Sequence, residues 1–292
     1  MTAKHTPFTI AREALYYAVM LILSGVFVLP FIWSVSTSFK PDNEIFSDTL
    51  VLLPEQPTVQ HYIDAFTTVP FGRYLGNSLF LAVIGVISNL FFGSLAGYSY
   101  ARLRFRGKQS LFRLQLISLM VPGIVTIIPS YIILRSFPFA GGNDWLGQGG
   151  SGLLNTYWAI FLPGAAGTFA VFLMRQFLLT LPSELGEAGR IDGCSEFGIF
   201  WRIYLPLCLP ALATLGLFTF QGSWNAFLWN VIVLSDPNLA TIQMGLQSFT
   251  FNNQTDYGPL MAASVVATLP MLILFILAQR YFVEGISFTG TK

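Results

Sequence analysis

Glu187-Ala188-Gly189-Arg190-Ile191-Asp192-Gly193, with Ile203-Tyr204-Leu205-Pro206 further on, is a polar island between long apolar runs. Its meaning depends on those runs. The chain has 292 residues, 54% of them hydrophobic and 10% charged. A soluble domain carries about 25% charged residues. A chain this poor in charge cannot cover itself in water, so most of its surface must face lipid. The formal net charge of +1 argues against a nucleic-acid partner.

Crossing about 30 Å of hydrocarbon takes about 20 apolar residues. Six segments qualify, roughly 14–36, 75–100, 112–134, 157–177, 207–234 and 260–282. Barrel-type alternation is missing, and backbone polar groups must be satisfied within the lipid, so the segments are read as helices. Lys4 and Arg12 precede the first run. That run exceeds the about 7–15 residues of a signal-peptide core, and no small-x-small cleavage site follows, so it is read as a retained span.

Loop charges set the orientation. The second turn holds Arg102, Arg104, Arg106, Lys108 and Arg113, and the fourth holds Arg190 and Arg202 with Arg175 at its edge. The opposite side holds only Lys40, Arg73 and Arg135, alongside Asp42, Glu44, Asp48, Glu55, Asp64, Asp144, Asp236 and Asp256. This asymmetry predicts cytoplasmic termini and cytoplasmic loops 102–113 and 178–206. The outer segments are irregular. Pro41, Pro54, Pro57 and Pro70 break 37–74, Gly141-Gly142 and Gly149-Gly150 loosen 135–156, and Asn252-Asn253-Gln254 marks 235–259. No internal repeat of the secondary-transporter kind is visible.

Within the island, Pro182-Ser183-Glu184 is a helix-start signal with Ser183 as the expected N-cap. Gly186 stands where a capping box would place Glu. Gly193 is the expected left-handed stop, and Ser195 is placed to cap a second helix. Leu185, Ala188 and Ile191 recur at helical spacing. A short amphipathic helix outside the membrane fits docking to a partner and resting on lipid headgroups equally well. Cys194 and Cys208 give neither a disulfide framework nor metal spacing and read as packing residues.

The spacing E-A-G-x3-G-x9-I-x-L-P resembles the cytoplasmic EAA loop of bacterial ABC importer permeases, with Gly189 where that family usually has alanine. Phe172-Leu173-Met174-Arg175-Gln176-Phe177, Phe218-Thr219-Phe220-Gln221-Gly222-Ser223-Trp224-Asn225 and Gln279-Arg280-Tyr281-Phe282-Val283-Glu284-Gly285, with Gly290-Thr291-Lys292, look like the carbohydrate branch, the maltose-permease G type. The resemblance implies an all-α, six-span type I importer permease fold. It divides the chain into an N-terminal segment 1–73, a permease core 74–282 and a cytoplasmic tail 283–292. It makes Glu187, Ala188, Gly189, Asp192, Gly193, Leu205 and Pro206 the ATPase-coupling positions. It implies as partners a second permease subunit, two ATP-binding subunits and an extracytoplasmic solute-binding protein.

The chain has no nucleotide site of its own. Gly107-Lys108 lacks a glycine five residues before Gly107 and is followed by Gln109, so it is not a phosphate loop. ATP and magnesium are expected on the partner ATPases, and no cofactor or metal is expected here. The spans hold almost no charge, and His5 and His61 lie outside them, which argues against an ion-coupled carrier. In the fifth segment, Gln221, Ser223, Trp224, Asn225, Trp229 and Asn230 interrupt an apolar run. Amides bond sugar hydroxyls and tryptophan offers an apolar face, so Gln221, Trp224, Asn225 and Asn230 are candidate pathway residues. Helix–helix bonding and a headgroup belt are the competing readings. Gly93 and Gly97 form a Gly-x-x-x-Gly pattern for close helix approach, and Pro122, Pro129 and Pro163 are expected kinks. The chain thus reads as a multi-pass permease of an ATP-driven sugar importer in a bacterial or archaeal plasma membrane. A glycerol-phosphate importer is the alternative within the fold.

Overall fold

A computed structural model describes residues 7–47, 51–251 and 254–287. Lys4, His5, Asp48, Asn252, Asn253 and Gly290-Thr291-Lys292 lie outside the described residues. Contacts divide the chain into two compact units, Met1–Pro70 with Ser248–Thr268, and Phe71–Gln247 with Leu269–Lys292.

The first unit holds helices α1 (Pro7–Ser38), α2 (Asp42–Ile45) and α3 (Gln60–Thr68), and a two-residue antiparallel pair, β1 (Thr250–Phe251) with β2 (Gln254–Thr255). His61 is 4% exposed, and its Nε2 lies 2.7 Å from the Lys40 carbonyl, which pins α3 to the end of α1. Leu21 and Phe27 on α1 are each 73% exposed. Apolar exposure on that scale belongs in lipid or against another chain.

The second unit runs α4 (Phe71–Ser88), a π-turn at Asn89–Gly93, α5 (Ser94–Arg102), α6 (Lys108–Leu119), α7 (Gly123–Arg135), α8 (Tyr157–Gly164) and α9 (Thr168–Thr180). It continues through α10 (Glu184–Ile191), α11 (Glu196–Ile199), a second π-turn at Phe200–Tyr204, α12 (Leu205–Leu207), α13 (Leu209–Trp224), α14 (Leu228–Val233) and α15 (Ile242–Gln247). Helix α16 (Tyr257–Ser287) belongs to both units.

Among the described residues, four helices are long and apolar enough to cross a membrane: Arg12–Ser38, Phe71–Arg102, Tyr157–Thr180 and Tyr257–Arg280. The number reaches six when two bent pairs each count as one span. The expected segment 112–134 is one of them, since α6 and α7 meet at 108°. Pro122 stands at that corner with φ −58°. It lacks an N–H and disfavours helical geometry in the residue before it. The expected segment 207–234 is also discontinuous. Its approach through Glu196–Leu207 turns by 82° into α13, and α13 ends at Trp224 before α14 begins. Pro163 sits in α8 just before the break at 165–167, whereas Pro129 lies inside α7.

The core forms where α5 lies on α9. A Cβ added to Gly93 would come within 2.6 Å of the Ala170 Cβ, and one added to Gly97 within 2.7 Å of the Met174 Cβ. The Gly-x-x-x-Gly pattern therefore acts as read, bringing two backbones together. Tyr98, Met174, Phe200, Tyr204 and Leu215 close the same cluster.

Candidate functional site

The polar island folds as a two-helix elbow. Helix α10 ends in a double-bonded turn: Gly193 N–H donates to the Arg190 carbonyl at 3.1 Å, and Cys194 N–H to the Gly189 carbonyl at 2.9 Å. This is the Schellman arrangement, and it needs a left-handed residue at the corner. Gly193 supplies it with φ +79°. Ser195 then accepts from Gly198 N–H at 3.2 Å and caps α11 as expected. Ser183 does not cap α10. Its backbone is already helical (φ −73°, ψ −26°), which turns its hydroxyl away from the first-turn N–H groups, and only its carbonyl is used.

The inward face of α10 also differs from the spacing-based reading. Gly186 and Gly189 are the buried positions, whereas Ala188 and Ile191 are exposed. The glycines let the backbone lie directly on Tyr204 and on Ile199 with Ile203. Side chains at those sites would lift the helix off its support. Glu187, Asp192 and Ile191 face outward. Ile191 is 86% exposed, and neither carboxylate makes a side-chain hydrogen bond or ion pair among the described residues. Leu205 is half-buried against the core, Pro206 is exposed at the start of α12, and Cys208 is buried at the bend into α13.

Four residues fix this elbow to the membrane helices, and only two of them drew attention in the sequence, as loop charges. Glu196 accepts from Arg190 Nε at 2.6 Å and from the Tyr98 hydroxyl at 2.8 Å, tying α10, α11 and α5 together. The Arg190 hydrogen bond holds the Glu196 carboxyl below its ordinary range, opposed by partial burial. Arg102 donates through one terminal nitrogen to the Leu178 and Leu181 carbonyls and lies over the Tyr204 ring at 4.8 Å. Spacing alone could not reveal Tyr98–Glu196, because the partners are far apart in sequence. Lys108 Nζ caps the end of α5 through the Leu103 carbonyl at 2.9 Å. Burial, then the neighbouring Arg175 and Arg104, push its ammonium pKa down. A cleft of about 720 Å³ between loop 102–108 and the elbow is lined by Arg102, Arg104, Lys108, Glu187, Arg190 and Glu196, among others.

The polar residues of the fifth segment separate into two groups. Trp224 is 3% exposed and stacks on Phe220 with ring centroids 5.5 Å apart, so it is a packing residue here. Asn230 is 1% exposed, and its Nδ2 donates to the Ala226 carbonyl at 2.9 Å and to Thr241 Oγ1 at 3.3 Å. Trp229 donates to the Ala159 carbonyl at 3.1 Å. Gln221 and Asn225 are exposed, and Asn225 has only a long, 3.5 Å bond from Gln243. Asn230 and Trp229 also line a cavity of about 260 Å³ with Gly85, Asn89 and Gly164.

Apolar helices of membrane-crossing length define a multi-pass membrane protein, and its polar elbow has an outer face unpaired among the described residues. Residues 89–288 match the model for the binding-protein-dependent transport system inner membrane component, and the chain belongs to that family. It is 35% identical over 273 residues to the arabinooligosaccharides transport system permease protein AraQ of Halalkalibacterium halodurans, covering 92% of this chain and 93% of that one. Its fold matches a bacterial ABC transporter involved in the import of the acidic polysaccharide alginate, with TM-score 0.81 and 22% identity over 96% of this chain and 100% of that one. A second match, with TM-score 0.65 and 15% identity over 92% and 94%, is the bacterial alginate ABC transporter in complex with alginate pentasaccharide-bound periplasmic protein. The fold is that of an ABC importer permease, and the protein is a multi-pass component of a bacterial membrane.

Proposed function

We propose that this chain forms half of the translocation pathway of an ATP-driven sugar importer and is moved by a cytoplasmic ATPase through the elbow at 184–207. The observation that carries this is the elbow itself. It is cornered by a left-handed glycine and clamped by Arg190–Glu196–Tyr98, yet Glu187, Ile191 and Asp192 point outward, with no side-chain hydrogen bond or ion pair to them among the described residues. A buttressed knob with an unused outer face is built to be pushed, because packed elements shift between discrete arrangements rather than deforming. Glu187, Ala188 and Asp192 meet the ATPase in this reading. Gly189, Gly193, Leu205 and Pro206 hold the shape.

The remaining parts follow from the same reading. A second permease subunit completes the pore, two ATPase subunits carry ATP and magnesium, and a solute-binding protein delivers cargo from outside. The termini and the elbow lie in the cytoplasm, as the lysine and arginine bias favours. Residues 74–282 are the permease core, 1–73 an N-terminal segment with the first span, and 283–292 a tail. Sugar as cargo is supported by the arabinooligosaccharide relative and by the alginate importers of the same fold. Gln221 and Asn225, the exposed candidates of the fifth segment, meet it in this reading.

Purification from native membranes tests the proposal. A nucleotide-binding subunit should copurify, and vanadate-sensitive ATP hydrolysis should drive sugar uptake into proteoliposomes. Uptake by the lone chain on an ion gradient would overturn it. Competition by glycerol phosphate but not by sugars would change the cargo.

A further inference from the structure

Three helix breaks are neighbours in the second unit. The π-turn begins at Asn89, the α8–α9 break lies at 165–167, and α6 ends at Leu119 before its sharp corner. Asn89 is 6% exposed and its amide joins two of the breaks. Nδ2 donates to the Gly164 carbonyl at 2.7 Å and to the Gly85 carbonyl at 3.1 Å, while Oδ1 accepts from Gly167 N–H at 2.9 Å. One side chain thus serves the last carbonyl of α8 and the backbone N–H that opens α9. The Ser118 hydroxyl, at the end of α6, lies 3.2 Å from the Thr168 hydroxyl beside the same break.

On one side of these breaks the structure is locked. Helices α5 and α9 touch through Gly93 and Gly97, Arg102 bonds the Leu178 and Leu181 carbonyls, and Arg175 bonds the Tyr100 carbonyl. The elbow follows α9 directly. On the other side lie α4 and α8. A displacement of the elbow that travels along α9 therefore meets α8 at the 165–167 break, while α13, which also follows the elbow, packs directly on α4 beside Val86. Gly85, Asn89 and Gly164 line the cavity of about 260 Å³, and π-bulges often sit at functional sites.

We infer that Asn89 is a hinge pin, a positioning residue that keeps the two breaks in register while α5, α9 and the elbow swing as one body. The inference rests on the reading of the chain as an ATP-driven permease. Without the pin, the joint slips and the part of the swing carried by α9 is lost before it reaches α8. ATP is then hydrolysed with little cargo moved.

The test uses the assembled importer in proteoliposomes and reads sugar transported per ATP hydrolysed. Asn89→Leu strands the Gly164 carbonyl and the Gly167 N–H, two polar groups each worth about tenfold, and should lower that ratio by about tenfold or more. Assembly with the ATPase should be unaffected. Gly167→Ala places a Cβ 2.9 Å from Asn89 Oδ1. It should lower the ratio less, and should have no further effect in an Asn89→Ala background, where its clash partner is gone. If Asn89→Leu does not assemble, the Gly167→Ala and Asn89→Ala pair decides. A wild-type ratio in assembled Asn89→Leu, or a Gly167→Ala effect that persists in Asn89→Ala, would overturn the hinge. A purely structural role would reduce the yield and melting temperature of the complex and leave the ratio alone. Wild-type complex without any ATP-driven uptake would instead overturn the functional reading beneath it.

Discussion

The elbow at 184–207 and the polar run at 221–230 look alike in sequence, since each is a handful of polar side chains between apolar runs. The fold treats them in opposite ways. In the elbow the buried positions are glycines and the charged groups point out, so its chemistry is offered to something else. In the polar run the largest polar groups turn in. Trp224 stacks on Phe220, Asn230 bonds Ala226 and Thr241, and Trp229 bonds Ala159. Polarity in a membrane chain therefore marks a contact, and only the direction of the side chain says whether the contact is internal or with a partner.

The sharpest way to break this comparison is at Trp224 and its neighbour. Trp224→Ala removes a nearly buried, stacked indole and should cost about 3–5 kcal/mol of stability, read as a lower melting temperature in detergent. Asn225→Ala, at an exposed amide, should leave melting unchanged and raise the apparent KM for sugar uptake. If Trp224→Ala melted normally and altered only the KM, the inward reading of this run would fail.

Next in size is the corner of the elbow. Gly193 has open space around the position of a Cβ, so steric crowding is not the obstacle. The obstacle is φ +79°. A β-branched residue there is strained by roughly 1–2 kcal/mol, and relieving the strain rotates α11 relative to α10. Gly193→Val should reduce transport-coupled ATP hydrolysis about tenfold by that measure. Gly193→Asn should retain much of it, because Asn tolerates the left-handed region. Intact coupling in Gly193→Val would remove the corner from the mechanism.

Much of this was legible in the chain. The lack of charge gave the membrane class, Gly193 and Ser195 gave the stop and restart of the elbow, and Gly93 with Gly97 gave a close helix contact. Three features were not. The 108° corner at Pro122 was expected only as a kink, because proline signals a break but not its angle. The seated face of α10 was not visible because hydrophobic spacing picks out Leu185, Ala188 and Ile191, whereas the requirement at the support is closeness, which Gly186 and Gly189 satisfy. The Asn89 clip and the Tyr98–Glu196 bond join residues distant in sequence, and one chain carries no mark of such pairs.

A smaller effect tests the stiffness of the elbow by pH. Glu196 has its carboxyl held below the ordinary 4.5, first by the Arg190 hydrogen bond. A depressed carboxyl contributes stability that is fully present above the ordinary value and is lost as pH falls through the lowered one. The clamp is therefore intact at neutral pH and should weaken only below about pH 4.5. Both partners are nearly half exposed, with side chains at 45% and 44%. The contribution is then about 0.2–1 kcal/mol, less at high salt. Glu196→Gln should flatten the acid limb of a melting-temperature profile. An unchanged limb would mean that the Tyr98 bond alone holds α11.

The smallest expected effect is at Gly189, where the resemblance to the EAA loop would place alanine. Two terms oppose each other. Alanine in a helix interior is favoured over glycine by about 1 kcal/mol. The added Cβ would stand 2.8 Å from Ile203 Cδ1 and 3.1 Å from Ile199 Cγ1. Ile203 is half-buried, and its terminal methyl is the flexible end of a side chain, so that contact can open by rotation. Ile199 is fully buried and must give by a few tenths of an ångström. The crowding thus cancels most of the propensity gain, and Gly189→Ala should melt within about 0.3 kcal/mol of the wild type with its transport per ATP unchanged. A large loss would show that the elbow of this chain is seated more tightly than its relatives' motif allows. Gly189 would then be a requirement of this packing and not a neutral departure. A full gain of about 1 kcal/mol would show that Ile199 yields freely and that the elbow's support is softer than the clamp around Glu196.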